Sequence, residues 1–162
     1  MQLDKQIISL DEMMQKIKDK VFKDYDLVVA IGRGGILPGY LVSRFLDIGM
    51  EIVELKFRDD NHQQIYDEPQ VKYKPLNVTY ANKRILLVDD VANTGSTLLK
   101  AKEVLALDKV TTLVISGKGD ISLFGAHDRC ILWPWQDSLT VNQNGAWGAT
   151  AGVRDKSADA SW

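Results

Sequence analysis

The sequence contains too little cysteine and histidine to build a disulfide framework or a zinc site. One cysteine, Cys130, and two histidines occur among 162 residues, so no internal disulfide can form and no Cys/His metal cluster is predicted. No apolar run approaches the ~20 residues of a membrane span, and residues 1–20 are too charged for a signal peptide. The net charge of −2 does not indicate a nucleic-acid or membrane surface. We therefore expect a cytoplasmic protein with no nucleic-acid or membrane partner.

Composition indicates a single globular domain. Apolar residues make up 45% of the chain and charged residues 26%, which is ordinary for a soluble fold. A chain of this length can bury ~70% of the surface that its unfolded form exposes.

Apolar runs alternate with helical patterns along most of the chain. Ser9 and Glu12 form a capping box that predicts a helix start. Strands are predicted over 26–32, 51–57, 84–89 and 109–116, and helices over 9–22, 36–49 and 96–107, with Gly49 closing the second. This order predicts a doubly wound parallel α/β sheet. Ligands of such sheets lie beyond the carboxyl ends of the strands, here at residues 32–35 and 89–97.

Two segments lack clear periodicity. Residues 58–83 are polar and contain two prolines, which predicts a functional flap or an excursion with a hairpin of its own. Residues 141–162 are rich in Gly, Ala, Ser and Asn, which predicts a loosely ordered C-terminal tail.

The stretch "NTGST" at 93–97 predicts an anion-binding turn. It lies where a strand gives way to a helix, so backbone N–H groups, the helix dipole and three hydroxyls converge on one point suited to a phosphate. It is not a Walker A loop, because no Gly-Lys-Ser/Thr occurs. The alternative is that Ser96 or Thr97 simply caps the helix.

Asp89 and Asp90 directly precede this turn and would repel a phosphate unless they face another part of the ligand. Sugar hydroxyls, or a Mg²⁺ ion already bound to phosphates, satisfy that need. The pair and the turn together predict a sugar phosphate with a divalent metal. The alternative is the acidic pair of a response-regulator receiver domain, although that pair lies near the N-terminus and no glycine-hydroxyl turn follows it.

The stretch "ILLVDDVANTGSTL" resembles the phosphoribosyl-pyrophosphate signature of the type I phosphoribosyltransferases. "VVAIGRGGILPGYLVSRFL" is similar to the pyrophosphate-loop region of bacterial xanthine-guanine and hypoxanthine phosphoribosyltransferases, and "CILWPWQD" to their C-terminal hood. The resemblance covers residues 7 to about 137. It implies a phosphoribosyltransferase domain over 1–140, with a flexible flap at about 58–83 and a small hood at about 127–140.

The resemblance implies a role for each matching position. Phosphoribosyl pyrophosphate (PRPP) would meet the sheet edge through its 5-phosphate, ribose hydroxyls and pyrophosphate, with Mg²⁺ as cofactor. The 5-phosphate site is Asn93, Thr94, Gly95, Ser96 and Thr97; the pyrophosphate site is Gly32, Arg33, Gly34 and Gly35; the metal site is Asp89, Asp90 and Asp137; the base site is Lys118, Cys130, Ile131 and Trp133; and the catalytic set is Asn93, Asp89, Asp90 and Arg33. The Gly32–Arg33 peptide is expected to be cis. The alternatives without a binding role are a turn with a surface arginine for "GRGG" and an exposed turn lysine for Lys118.

Two positions depart from the family pattern. Asn93 stands where relatives that use 6-oxopurines carry an aspartate general base, and an amide cannot take a proton at ordinary pH. A slow enzyme, another base, or a substrate that needs no deprotonation would each account for it. Cys130 stands where an aromatic residue stacks on the base; Trp133 or Trp135 could supply that stack, but a core role fits either equally.

The resemblance implies transfer of the phosphoribosyl group from PRPP to a purine base, giving a nucleoside monophosphate and pyrophosphate in salvage. A transferase for another nucleobase is the first alternative. A weakly catalytic regulator that binds PRPP or a nucleotide is the second, and Asn93 keeps it open. Relatives are commonly oligomeric, so a homodimer or homotetramer is expected.

Overall fold

The computed structural model describes residues 6–22, 24–56, 65–76, 78–126 and 131–135. Cys130, Asp137 and the predicted tail lie outside these ranges, as does part of the predicted flap and hood. The elements in chain order are β1 (Gln6–Ile7), α1 (Leu10–Lys20), β2 (Leu27–Gly32), α2 (Ile36–Leu46), β3 (Gly49–Lys56), β4 (Gln70–Tyr73), β5 (Ile85–Ala92), α3 (Ser96–Val104), β6 (Val110–Gly117), β7 (Ile121–Ser122) and β8 (Ile131–Leu132).

The chain divides into two compact units, Met1–Met13 with Asp128–Trp162 and Met14–His127. In the smaller, β1 and β8 pair in parallel. The larger contains a six-stranded sheet in the order β4-β3-β2-β5-β6-β7. Its described strand pairs are parallel, apart from β4, which runs antiparallel to β3. The predicted α/β sheet is thus confirmed. Residues 70–73 of the predicted flap join this sheet as an edge strand.

The centre of the sheet is the most deeply buried part of the larger unit. Leu27–Ile31 of β2 and Ile85–Val88 of β5 are all buried, and these neighbouring strands pair in register from Leu27 opposite Ile85. Both of these segments are continuous aliphatic runs, as expected of parallel strands whose two faces are covered. This rigid centre fixes the two loops that leave its carboxyl edge.

The helix boundaries confirm one prediction and correct another. The Ser9–Glu12 capping box is present: Ser9 N–H and Oγ each donate to Glu12 Oε2 at 2.8 Å, and Glu12 N–H donates to Ser9 Oγ at 3.2 Å. Gly49 does not close α2, because the left-handed residue after the helix is Asp47 (φ 57°). A short polar side chain tolerates that conformation, and Gly49 instead begins β3. In the described ranges, no helix is long and apolar enough to cross a membrane.

Candidate active site

The loop between β2 and α2 is the sequence "GRGG", and its glycines permit a close approach of backbones. The Gly32–Arg33 peptide is cis, which confirms the prediction. Gly35 N–H donates to Ile31 O at 2.8 Å. A Cβ atom on Gly35 would lie 2.3 Å from Val88 O and 2.7 Å from Ile31 O, so any other residue would clash with backbone atoms. Gly35 therefore holds this loop directly against β5.

Asp89 and Asp90 lie within β5 rather than beyond its end, because the strand continues through Val91 to Ala92. Asp90 N–H donates to Asp89 Oδ1 at 2.9 Å, and Val91 N–H donates to Asp90 Oδ1 at 2.7 Å. Asp89 is buried, with 8% of its surface exposed. Burial, reinforced by the neighbouring Asp90 charge, raises the pKa of Asp89 well above its usual range. The folded chain alone therefore disfavours the ionised form of this carboxyl.

The acidic pair and the "GRGG" loop are in direct contact. A Cβ atom on Gly34 would lie 2.4 to 2.5 Å from the carboxylate atoms of Asp90. A side chain at position 34 would displace the Asp90 carboxylate from where it lies. Two motifs far apart in sequence are thus adjacent at the carboxyl edge, as strand order predicts.

The 93–97 turn leads directly into α3. The N-cap residue of this helix is Gly95, in the left-handed conformation with φ 83°. The idea that Ser96 or Thr97 is the cap is therefore wrong. Thr94 Oγ1 and Ser96 Oγ lie 2.8 Å apart, and Ser96 N–H donates to Thr94 Oγ1 at 3.3 Å. A helix start with hydroxyls at its mouth is chemically suited to an anion.

The turn after β6 carries Lys118 to the same edge. Lys118 N–H donates to Ala92 O at 2.7 Å. Gly117 has φ 104°, and a Cβ atom there would lie 2.2 Å from the same oxygen. A groove of about 520 Å³ lies here, lined by Thr94, Gly95, Leu98, Leu99, Lys102, Thr112, Lys118, Gly119 and Asp120. The sequence analysis does not assign a role to Gly117, Thr112 or Asp120, although the glycines on either side of Lys118 are typical of a turn.

The carboxyl edge offers oxygen ligands that suit Mg²⁺. Asp89 and Asp90 provide adjacent carboxylates, and Mg²⁺ typically uses one or two carboxylates with substrate phosphates completing its shell. Among the described residues, no group of three His, Cys, Asp or Glu side chains could hold a metal ion unaided. Asp137, the third predicted ligand, lies outside the described residues. The donor set thus fits a metal that arrives with a phosphorylated ligand.

The predicted base-binding residues other than Lys118 belong to the smaller unit or lie outside the described residues. Trp133 is 4% exposed, and its ring stacks on Trp135 with centroids 5.8 Å apart. This burial favours the core role for Trp133. Ile131 is partly buried in β8, and Cys130 lies outside the described residues.

Comparison with known proteins matches the chain to one family. A family model described as the phosphoribosyl transferase domain matches residues 2–115. The chain is 31% identical over 123 residues to a xanthine-guanine phosphoribosyltransferase of Idiomarina loihiensis, covering 72% of this chain and 74% of that protein.

Two solved structures are similar in fold. A purine phosphoribosyltransferase from Pyrococcus horikoshii has a TM-score of 0.65 at 22% identity, covering 82% of this chain and 94% of that one. A hypothetical protein from Neisseria gonorrhoeae with bound ppGpp has a TM-score of 0.62 at 27% identity, covering 92% of this chain and 98% of that one.

Proposed function

The chain belongs to the phosphoribosyltransferase family, and from that premise we propose that it transfers the phosphoribosyl group of PRPP to a 6-oxopurine. The base would be guanine, hypoxanthine or xanthine, and the products a nucleoside 5'-monophosphate and pyrophosphate, in purine salvage. The observation that carries the proposal is the contact of the Asp90 carboxylate with Gly34. It brings the acidic pair that we assign to the ribose hydroxyls beside the loop that we assign to the pyrophosphate, and these two groups are neighbours on PRPP.

The pyrophosphate of PRPP is assigned to the "GRGG" loop. Arg33 is exposed at this edge and offers a fixed, permanently charged fork of N–H donors suited to phosphate oxygens. The glycines on either side leave backbone N–H groups accessible to the same oxygens. Negative charge grows on the departing pyrophosphate, so donors placed here stabilise the transition state more than the bound substrate.

The ribose hydroxyls are assigned to Asp89 and Asp90, which accept hydrogen bonds when ionised. Mg²⁺, held by these carboxylates and by PRPP oxygens, would add positive charge beside the leaving group. A ligand of this kind also stabilises the ionised Asp89, whose pKa burial raises in the free chain. Bound substrate therefore offsets the free-energy cost of ionising Asp89 in the folded protein.

The 5-phosphate is assigned to residues 93–97 at the start of α3. The left-handed Gly95 leaves open space in front of the helix, since a Cβ atom there would have no neighbour within 4 Å. Helix N–H groups and the hydroxyls of Thr94, Ser96 and Thr97 would hold the phosphate. Asn93 is exposed beside them and can only donate or accept hydrogen bonds. We assign to it orientation of the base, with proton removal left to another group.

The remaining assignments concern the base and the protein around it. Lys118 would donate to the 6-oxo group, with Cys130 and Ile131 contributing from the hood and Asp137 on the metal side. The flap at about 58–83 would close over the sugar and exclude water, which would otherwise hydrolyse the intermediate. A cytoplasmic homodimer or homotetramer completes the proposal.

The experiment that tests this function is a panel assay with PRPP and Mg²⁺. Guanine, hypoxanthine, xanthine, adenine, uracil and orotate are supplied in turn, and pyrophosphate release is followed. We expect turnover with at least one 6-oxopurine and none with orotate. Turnover confined to adenine or a pyrimidine would overturn the substrate class. The Asp90→Asn variant is the control for pyrophosphate released by a contaminating enzyme.

A nucleotide-binding regulator is the second candidate. Asn93 at the usual general-base position supports it, as does the similarity to the Neisseria gonorrhoeae protein, which was solved with bound ppGpp. The "GRGG" loop argues against it, because a protein that only binds a nucleotide does not need a pyrophosphate-release site. No pyrophosphate release with any base of the panel, together with a rise in melting temperature on adding a guanine nucleotide, would favour the regulator.

A further inference from the structure

The turn that carries Lys118 is closed by a reciprocal set of hydrogen bonds between Thr112 and Asp120. Thr112 N–H and Thr112 Oγ1 each donate to Asp120 Oδ2 at 2.8 Å. Asp120 N–H in turn donates to Thr112 Oγ1 at 2.8 Å. Thr112 is only 4% exposed, so its hydroxyl is used as both donor and acceptor away from bulk water.

Two of these three hydrogen bonds have a carboxylate oxygen as acceptor. A carboxylate acceptor makes hydrogen bonds about twice as strong as a neutral one. The backbone and hydroxyl bonds from Thr112 lower the pKa of Asp120, with a smaller contribution from Lys102. Asp120 is therefore ionised at neutral pH and engaged by its own fold. It lines the groove with Oδ2 held by Thr112.

The other end of the same turn is anchored to the strand that holds the acidic pair. Lys118 N–H donates to Ala92 O at 2.7 Å, and Gly117 N–H donates to Gly125 O at 3.0 Å. Lys118 thus lies between an anchor on β5 and the hydrogen bonds that join Asp120, at the end of the turn, to Thr112 of β6. A lysine is a point charge on a flexible chain, so a fixed backbone is what limits the positions that its ammonium can reach.

We propose that Thr112 and Asp120 are positioning residues that fix the Lys118 turn and thereby set the preference for a 6-oxopurine. The inference rests on the proposed function, because Lys118 is the group assigned to the 6-oxo atom. The pair acts through the turn and touches neither PRPP nor the base. Its loss therefore changes selectivity between bases while leaving phosphate and pyrophosphate binding intact.

The test compares Thr112→Val, which keeps the shape and removes the hydroxyl, with Thr112→Ser, which keeps the hydroxyl. Dissociation constants of GMP and AMP are measured by isothermal titration calorimetry for the full chain. We expect Thr112→Val to reduce the GMP-over-AMP preference about tenfold, as lost charged hydrogen bonds predict. Thr112→Ser should restore most of the preference, and the KM for PRPP should stay within about twofold in both variants.

Lys118→Ala supplies the decisive control. It should remove the preference by itself, and adding Thr112→Val should then have no further effect on the GMP-to-AMP ratio. Additive losses, or equal weakening of GMP, AMP and PRPP, would overturn the positioning role. So would an unchanged preference in Lys118→Ala. If neither nucleotide binds to the wild type, the inference fails too.

The binding and turnover readouts separate the two claims. A chain that turns over oxopurines but shows no Thr112 effect refutes the positioning role and leaves the proposed function standing. A chain that prefers GMP through Thr112 but turns over no base supports the positioning role and refutes catalysis.

Discussion

Two pairs of aspartates lie at opposite edges of the central sheet, one just before β2 and one in β5, and their surroundings differ. At the amino end, Asp24 and Asp26 are both paired with Arg84, which leads into β5. Arg84 N–H donates to Asp26 Oδ2 at 2.7 Å, and the guanidinium reaches Asp26 Oδ1 at 3.1 Å. At the carboxyl end of β5, Asp89 is buried next to Asp90.

These environments shift the pKa values of Asp26 and Asp89 in opposite directions. Hydrogen bonds from the Arg84 side chain and backbone lower the pKa of Asp26, whereas burial and then the charge of Asp90 raise the pKa of Asp89. A carboxylate that is paired with a cation of the same fold, as Asp26 is with Arg84, has its ionised form stabilised by the folded protein. A carboxylate that the fold buries beside another carboxylate is suited to a ligand that arrives from outside.

The largest expected difference between the ends is in catalysis. Asp90→Asn should reduce pyrophosphate release at least ~100-fold, because it removes charge from the sugar and metal side of PRPP. Asp26→Asn is the matched control at the other end and should stay near wild-type activity. Both are measured with PRPP and the best base of the panel. Equal losses in the two variants would mean that the ends do not differ in role.

The next largest expected difference is in thermal stability when an alanine replaces a glycine at either edge of the sheet. Gly35→Ala should lower Tm by about 5–10 °C, because the new methyl group would clash with Val88 O and Ile31 O. Gly49→Ala, at the amino end of β3, meets only Leu27 Cδ1 at 3.5 Å and should change Tm little. Thermal melts by circular dichroism compare them. A Gly35→Ala protein as stable as Gly49→Ala would contradict the close approach of the "GRGG" loop to β5.

The smallest expected difference is in the pH dependence of stability. Asp89 has a raised pKa when folded, so its contribution to stability is present below its unfolded pKa, about 3.9, and is lost as pH rises through the folded pKa. Asp26 has a lowered pKa, so its contribution is present above about pH 4 and is lost as pH falls.

Urea titrations without Mg²⁺, at several pH values, measure both effects as free energies of unfolding. Asp89→Asn should flatten the decline toward neutral pH, and Asp26→Asn should flatten the decline toward acid. An Asp89→Asn curve parallel to that of the wild type would show that this carboxyl ionises in the native state as readily as in the unfolded chain.

The sequence predicts whichever features depend on neighbours along the chain. The apolar run of β5, the acidic pair and the glycine turn of α3 are contiguous; the run and the turn are found where they are expected, whereas the strand continues past the acidic pair to Ala92. A hairpin within residues 58–83 was one predicted alternative, but the pairing of β4 with β3 was not predicted, because all four β4 residues are exposed and no buried face imposes an alternating pattern. Asp47 replaces Gly49 at the end of α2 because the left-handed conformation is not exclusive to glycine.

The features that sequence alone could not predict are contacts between segments. The approach of Gly34 to Asp90 depends on β2 and β5 being adjacent in the sheet. The Thr112–Asp120 pair depends on the path of the turn that leads from β6 to β7, which is a parallel strand and not a hairpin partner. No residue pattern in "SGKGD" specifies that path.

The most direct test of the account is differential scanning calorimetry of wild type and Asp89→Asn, each with and without PRPP and Mg²⁺. Asparagine keeps an oxygen that can accept the Asp90 N–H bond and removes the buried charge. We predict that Asp89→Asn has an equal or higher Tm without ligand and loses most of the Tm increase that PRPP and Mg²⁺ give the wild type. A lower Tm without ligand, with an undiminished ligand-induced increase, would contradict the account and make the acidic pair part of the fold.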